Sequence, residues 1–311
     1  HPGALRADMS HLNDRLFSGL LGVLPQHALS RLIHGLARWR WRPWKNLLIG
    51  AFSRAYGVNR GEAAASERHA YVSFNDFFTR ALAPGTRPVD NAPDALISPV
   101  DGRLSEFGGI TAGQLIQAKG QAYSVGELLG GDLELAAPFH HGRFATLYLS
   151  PRDYHRVHMP VAGSLQRMLH VPGRLFGVSP PLVRRVPRLF ARNERVVSLF
   201  DTPAGAMAMV LVGAIGVGSI ETVHAGEITP PRGQRIRSWD YRRSPPSLAR
   251  GAEMGRFNLG STVIVLFAGD AMTWQADLAV GQPVRLGERL GTLAGAAGSG
   301  AIPGEGHHAG H

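Results

Sequence analysis

Phe257-Asn258-Leu259-Gly260-Ser261-Thr262 runs directly into Val263-Ile264-Val265-Leu266-Phe267. The second half is an unbroken apolar run of strand length, and it reads as a buried strand. The first half places a Gly-Ser peptide bond at the mouth of that strand. Gly260 has no Cβ, so it tolerates a strained backbone and leaves its carbonyl open to the Ser261 hydroxyl. Attack there moves the acyl group from nitrogen to oxygen and puts an ester in the chain. Elimination across Cα–Cβ of Ser261 breaks the ester, and loss of ammonia leaves a pyruvoyl ketone, an electron sink for amine substrates. On these residues alone the chemistry is one reading, and a plain turn before a strand is the other.

Working outward, similar short apolar runs recur at Phe144–Leu149, Arg195–Phe200 and Met207–Val212, punctuated by Gly and Pro. They predict a β-rich region over 84–293 with one short helix at Ser124–Leu129. The stretch 172–192, rich in proline and arginine, is expected to be an exposed loop. Upstream the period changes. Leu12, Leu16 and Leu20 recur every fourth residue, and Leu29, Leu32, Ile33 and Leu36 follow the spacing of a helix face. Residues 10–82 read as four helical stretches, the last carrying Tyr71, Phe74, Phe77, Phe78 and Leu82, before Pro84-Gly85-Thr86-Arg87-Pro88 breaks the pattern. Helices first and strands after predict an α+β fold whose sheets are mostly antiparallel. Residues 1–83 form its helical part, 84–293 its core, and 294–311 a Gly/Ala-rich flexible tail in which His307, His308 and His311 are solvated.

With no cysteine there is no disulfide, thiol catalysis or cysteine metal site. An excess of 33 Lys+Arg over 23 Asp+Glu points to an anionic partner. No nucleic-acid module or zinc spacing is present, so nucleic acid is not expected. The charge is concentrated: from Arg15 to Arg60 there are eight Lys/Arg and no acid. Within it, Arg38-Trp39-Arg40-Trp41-Arg42-Pro43-Trp44-Lys45 alternates indoles with cations, a composition suited to an anionic membrane surface. The competing reading is a helical subdomain with its Trp residues on the core. The longest apolar run, Ala206–Val217, falls short of the ~20 residues needed to span a bilayer.

Two further segments carry chemistry. Ile97-Ser98-Pro99-Val100-Asp101-Gly102 ends an apolar run with an acid in a turn, where Asp101 could equally be an Asx-turn residue. Tyr154-His155-Arg156-Val157-His158-Met159-Pro160 supplies two histidines three apart. A metal reading of that pair lacks the Glu of H-E-x-x-H and has Pro151 and Pro160 against a long helix, so no metal is expected. Asp101, His158 and Ser261 thus supply an acid, a base and a nucleophile for the fold to assemble.

These segments, together with Phe74-Asn75-Asp76-Phe77-Phe78-Thr79-Arg80, Lys119-Gly120-Gln121-Ala122-Tyr123-Ser124, Asn193-Glu194-Arg195 and Gly255-Arg256-Phe257-Asn258, resemble the bacterial phosphatidylserine decarboxylase proenzymes, which are pyruvoyl-dependent. The likeness runs from about Phe74 to Phe267. It implies self-cleavage between Gly260 and Ser261, giving a β chain of 1–260 and an α chain of 261–311 capped by pyruvoyl. It assigns Asp101, His158 and Ser261 to the cleavage triad and His155 to acid/base work in the later reaction. It implies a Schiff base between the pyruvoyl group made from Ser261 and phosphatidylserine, then loss of CO2 to give phosphatidylethanolamine, with no pyridoxal phosphate. A peripheral place on the cytoplasmic face of the cell membrane accords with the basic, Trp-rich region, and a homodimer of the cleaved unit is compatible with it. A Ser-His-Asp lipid hydrolase and a non-catalytic lipid-binding protein are the rivals. The first lacks a G-x-S-x-G elbow around Ser261.

Overall fold

Ser261–Phe267 lies inside an antiparallel sheet, with Gly205–Val212 on one side and Arg143–Leu149 on the other. The structure is a computed structural model that describes residues 26–118, 120–215, 219–229, 234–258 and 261–294. Val263, Val265 and Phe267 point into one apolar core with Leu147, Leu149 and Met209. Ile264 and Leu266 point into a second core with Phe144, Val197 and Val210. A strand covered on both faces has no solvent side to mark with polar residues, which is why its sequence does not alternate. Each such side chain contributes roughly 1.5–3 kcal/mol of burial.

The sheet continues outward in the order Arg237–Asp240, Gly163–Val171, Arg195–Thr202, Gly205–Val212, Ser261–Phe267, Arg143–Leu149, Gly102–Gly109 and Pro283–Val284. A second sheet sets Glu253–Phe257 between Ile220–Thr222 and Arg156–His158. All the strand pairings among the described residues are antiparallel, so the α+β, mostly antiparallel architecture holds. The short helix forms at Val125–Leu128, capped by a reciprocal bond pair between Ser124 and Glu127.

Two helices, Gln26–Arg38 and Arg42–Tyr56, precede a short one at Phe74–Phe78. They enclose a third core of Ile49, Tyr71, Phe74, Phe77 and Phe78. The apolar stripe read on the first helix is not core: Leu32 is 59% and Leu36 37% exposed. Trp39 and Trp41 are also half exposed. Lys45 differs from its basic neighbours, since it is buried and its ammonium donates to the Arg68 carbonyl (2.9 Å) and Asn46 Oδ1 (2.8 Å). Among the described residues no helix is long and apolar enough to cross a membrane.

The stretch 172–192 departs from the loop expectation. It folds into short helices at Pro180–Val183 and Leu189–Arg192, and Val178, Val183, Leu189 and Phe190 enter the second core. Buried Gln117 pins it by donating to the carbonyls of Val183 (2.8 Å) and Val186 (2.7 Å) and accepting from Leu189 N–H (2.7 Å). Proline and arginine content hid an apolar set spaced too irregularly to read. The helix expected at Leu12–Leu20, Lys119, Leu259, Gly260 and the tail beyond Ala294 with His307, His308 and His311 lie outside the described residues.

Candidate active site

The register of the central sheet brings the first two segments together. Ser261 pairs with Leu149, and Tyr148 pairs with Arg103, so Ser261 stands two strands from Gly102. Two strand spacings are roughly 10 Å. The approach between the inner strands is close: a Cβ on Gly102 would lie 2.4 Å from the Tyr148 carbonyl oxygen, so only glycine fits after Asp101. Of Ser261 the structure describes the backbone, and of Gly260 nothing.

The histidine segment leaves Leu149 through a tight turn. Asp153 accepts from both the N–H and the hydroxyl of Ser150 at 2.7 Å, which sends the chain back toward the site. His158 N–H then donates to the Pro99 carbonyl (2.9 Å), two residues before Asp101, and Phe257 N–H donates to the His155 carbonyl (3.0 Å). Asn258 closes the cluster. Its amide oxygen accepts from Asn75 at 3.0 Å and its amide nitrogen bonds to the Ser219 hydroxyl. Four stretches remote in sequence thus meet beside the strand that begins at Ser261.

The two histidines occupy different surroundings. His158 Nδ1 lies 2.7 Å from the Gly251 carbonyl, which can only accept, so Nδ1 carries the proton. Nε2 is left with its lone pair and accepts from the Tyr154 hydroxyl at 3.0 Å. Burial lowers the His158 pKa, so the ring is neutral and Nε2 basic. Burial also pushes the Tyr154 hydroxyl up to about 12, keeping it a donor. His155 is fully buried and stacks on Phe78 with ring centroids 4.0 Å apart. Burial, helped by the nearby Arg80 charge, takes its pKa down to about 3. Its Nε2 faces the Pro151 carbonyl at 3.4 Å, and its Nδ1 makes no well-formed hydrogen bond among the described residues.

Asp101 is placed differently from the expectation that it orients His158. Its carboxylate is gripped by Arg87, with Nε at 2.9 and 3.0 Å and Nη2 at 2.6 Å, and it also accepts from Leu286 N–H at 2.9 Å. Arg87 in turn holds Glu62 at 2.7 Å. The carbonyl of Gly251 fixes the His158 tautomer instead, and Asp101 reaches that ring only as a nearby charge favouring its protonated form. A hydrolase triad needs the carboxylate on the ring nitrogen, so this geometry weighs against that rival.

Sequence reasoning gave no role to Tyr154, Gly251, Arg87 or Phe78, although Tyr154 and Phe78 stood inside quoted motifs. A carbonyl acceptor such as Gly251 has no signature of residue type, so nothing in the sequence could have marked it. The Asn193-Glu194-Arg195 motif has a structural explanation. Arg195, 3% exposed, donates to the carbonyls of Leu128, Asn193 and Glu127 at 2.6–2.7 Å. Among the described residues no group of three or more metal-binding side chains is present.

The chain is similar to known proteins over most of its length. The family model for phosphatidylserine decarboxylase matches residues 74–292, and one described as PSD matches residues 16–57. A phosphatidylserine decarboxylase proenzyme of Methylococcus capsulatus is 52% identical over 285 residues, covering 91% of this chain and 99% of the relative. One from Alkalilimnicola ehrlichii is 57% identical, covering 81% of this chain and 88% of its own. One from Bordetella pertussis is 54% identical, covering 89% and 94%. With the matched residues spanning every segment that meets at Ser261, the chain belongs to the phosphatidylserine decarboxylase family.

Proposed function

We propose that this chain is a proenzyme that cuts itself between Gly260 and Ser261 and then decarboxylates phosphatidylserine to phosphatidylethanolamine. The register that puts Ser261 opposite Leu149, directly before the turn leading to His155 and His158, is the observation that carries this reading. In the first stage His158 Nε2 takes the Ser261 hydroxyl proton, and the oxygen attacks the Gly260 carbonyl. The C–N bond breaks as the ester C–O bond forms, and the freed amine takes the proton. Removal of the Ser261 α-proton expels the Gly260 carboxylate. Water then replaces nitrogen, which leaves as ammonia. Tyr154 bonds to Nε2 in the uncut chain and holds the ring until the serine proton arrives. Asp101, held by Arg87, favours the transient imidazolium by charge.

The surroundings fit a carbonyl group at position 261. Thr262 Oγ1 and His155 Nδ1 are buried polar atoms with no well-formed hydrogen bond among the described residues, and Ser261 begins a strand fixed on both flanks. The pyruvoyl group supplies the electron sink for loss of CO2, so pyridoxal phosphate is not needed. His155 enters turnover as a neutral imidazole and serves as the acid/base group for the proton delivered to carbon after CO2 has left.

The lipid reaches this site from a membrane surface. Leu32, Trp39, Trp41 and Leu47 are between 50% and 64% exposed on the two N-terminal helices and the connection between them, among the exposed Arg31, Arg40 and Arg42. Such a face suits a peripheral position on an anionic cytoplasmic leaflet. Cleavage leaves chains 1–260 and 261–311 associated, because Ser261–Phe267 is paired on both sides with strands of the larger piece. A homodimer of that unit is compatible with the fold.

Denaturing electrophoresis and intact mass test the first stage. The wild-type chain should give two pieces, and Ser261→Ala a single chain near 33.4 kDa without decarboxylase activity. An active Ser261→Ala protein would falsify the reading. His155→Ala should be cut yet lose most turnover, whereas an uncut His155→Ala chain would exchange the two histidine roles.

A further inference from the structure

Beside the cluster lies a cavity of about 320 Å³ whose wall includes Asp101, Ser150 and Tyr154. Five arginines line it, Arg80, Arg87, Arg103, Arg152 and Arg285, against three carboxylates, so the wall carries excess positive charge. They are not equivalent. Arg87 is committed to Asp101 and Glu62. Arg103, Arg152 and Arg285 are exposed and form the mouth. Arg80 is 5% exposed, and its Nε and Nη1 meet no hydrogen-bond partner among the described residues. Its Nη2 makes a long bond to the Arg152 carbonyl at 3.3 Å, while its guanidinium lies 5.3 Å from the Phe77 ring centroid.

A buried cation with idle donors is costly unless something else supplies the acceptors. Nη1–H shares one edge of the guanidinium with the weakly held Nη2–H, and that edge suits two oxygens of an oxyanion. We propose that this cavity is a phosphate subsite in which Arg80 receives the phosphodiester of the lipid headgroup. The inference rests on the decarboxylase reading and adds to it the residue that holds the substrate. The substrate also carries a carboxylate, but an arginine holding that group would stabilise the charge that must leave as CO2. A phosphodiester keeps its charge throughout. Four covalent bonds separate its phosphorus from the amine, so it can be held while the amine reacts at position 261. Holding it stabilises ground and transition states alike, which affects KM more than kcat.

The test uses the purified full chain, with inorganic phosphate, glycerophosphoethanolamine and serine as inhibitors. Inorganic phosphate shares only the oxyanion, glycerophosphoethanolamine has the phosphodiester without a carboxylate, and serine has the carboxylate without phosphate. Arg80→Gln should cut itself fully. It should raise KM for phosphatidylserine, and Ki for phosphate and glycerophosphoethanolamine, by tenfold or more, with kcat within about threefold and Ki for serine unchanged; Arg80→Lys should recover part of the loss. Constants within twofold of wild type would make Arg80 structural only. A change for phosphate alone would mean a free-phosphate site, and a change for serine alone a carboxylate site; either overturns the headgroup assignment. Should Arg80→Gln fail to mature, two further measurements decide. One is phosphate titration of the uncut Ser261→Ala chain by calorimetry, where a saturable heat lost with Arg80→Gln supports the subsite and its absence overturns it. The other is Arg285→Gln at the mouth, which should raise the same two Ki values about threefold; unchanged values count against the subsite. Absence of cutting in the wild type would instead sink the proenzyme reading, and the calorimetry on the uncut chain would still report on the subsite.

Discussion

Arg195 and Arg80 are both buried arginines, 3% and 5% exposed, yet the fold treats them in opposite ways. Arg195 has a backbone carbonyl for each of its three nitrogens, and they hold Glu127 and Leu128 to the strand that begins at Arg195 itself. Arg80 sits at the end of the Phe74–Phe78 helix and lines a cavity beside the candidate active site, with one long bond and two nitrogens idle among the described residues. Burial lowers the pKa of both, to about 10 for Arg195, so each guanidinium bears a desolvation cost. At Arg195 internal acceptors offset that cost, and the outcome is rigidity. At Arg80 it is left open, which suits binding. A buried cation therefore reports structure or function according to whether its donors are already used.

Mutations can break this contrast. The largest effect is expected for Arg195→Met, which keeps volume but strips the partner from three buried carbonyls. The loss should be about 3 kcal/mol or more, read as a lowered urea midpoint and poor maturation. A loss below about 1 kcal/mol would make the two arginines alike. Gly102→Ala comes next, because its Cβ would meet the Tyr148 backbone oxygen at 2.4 Å and push apart the strands that align Asp101 with Ser261. A loss of roughly 1–3 kcal/mol with slowed self-cleavage is expected; normal kinetics would show that this alignment tolerates displacement.

Protonation sharpens the contrast from the other side. His155 is held near pKa 3 against an ordinary 6.5, so below pH 6.5 the unfolded chain takes up a proton that the folded chain refuses. The stability this gives is complete above pH 6.5 and falls as pH drops toward 3, by up to ~1.4 kcal/mol per pH unit. His155→Asn should flatten a plot of unfolding free energy against pH over that window. An unchanged slope would mean the ring is not buried as described. The smallest effect belongs to Arg80→Gln, which should alter stability by less than about 1 kcal/mol, since it removes one weak bond and one desolvated charge. A loss as large as that at Arg195 would place Arg80 among the structural arginines.

Much of the fold was legible because burial on both faces leaves a plain signal. The runs at Phe144–Leu149, Arg195–Phe200 and Met207–Val212 are strands within the central sheet, extended by one or two residues at their ends. Helix amphipathicity was less informative: the spacing of Leu32 and Leu36 marked a helix face without saying what meets it, and among the described residues both stay exposed. At the site, motif residues were visible, but their bonds were not. Asp101 looked like the natural partner of His158, and only the approach of Arg87 from one loop and Gly251 from another assigned both to other partners.

From the sequence alone came the Gly260-Ser261 bond at the head of a buried strand, the paired histidines, the change from helical to strand periodicity and the family likeness, all carried by residue type and short-range spacing. Tertiary structure alone decided that His158 is set by a carbonyl, that His155 is a neutral ring against Phe78, and that Arg80 lines a cavity with two donors unpaired among the described residues. Those properties depend on how far water is excluded and on which backbone groups arrive from distant segments, and neither is written in the neighbours of a residue along the chain.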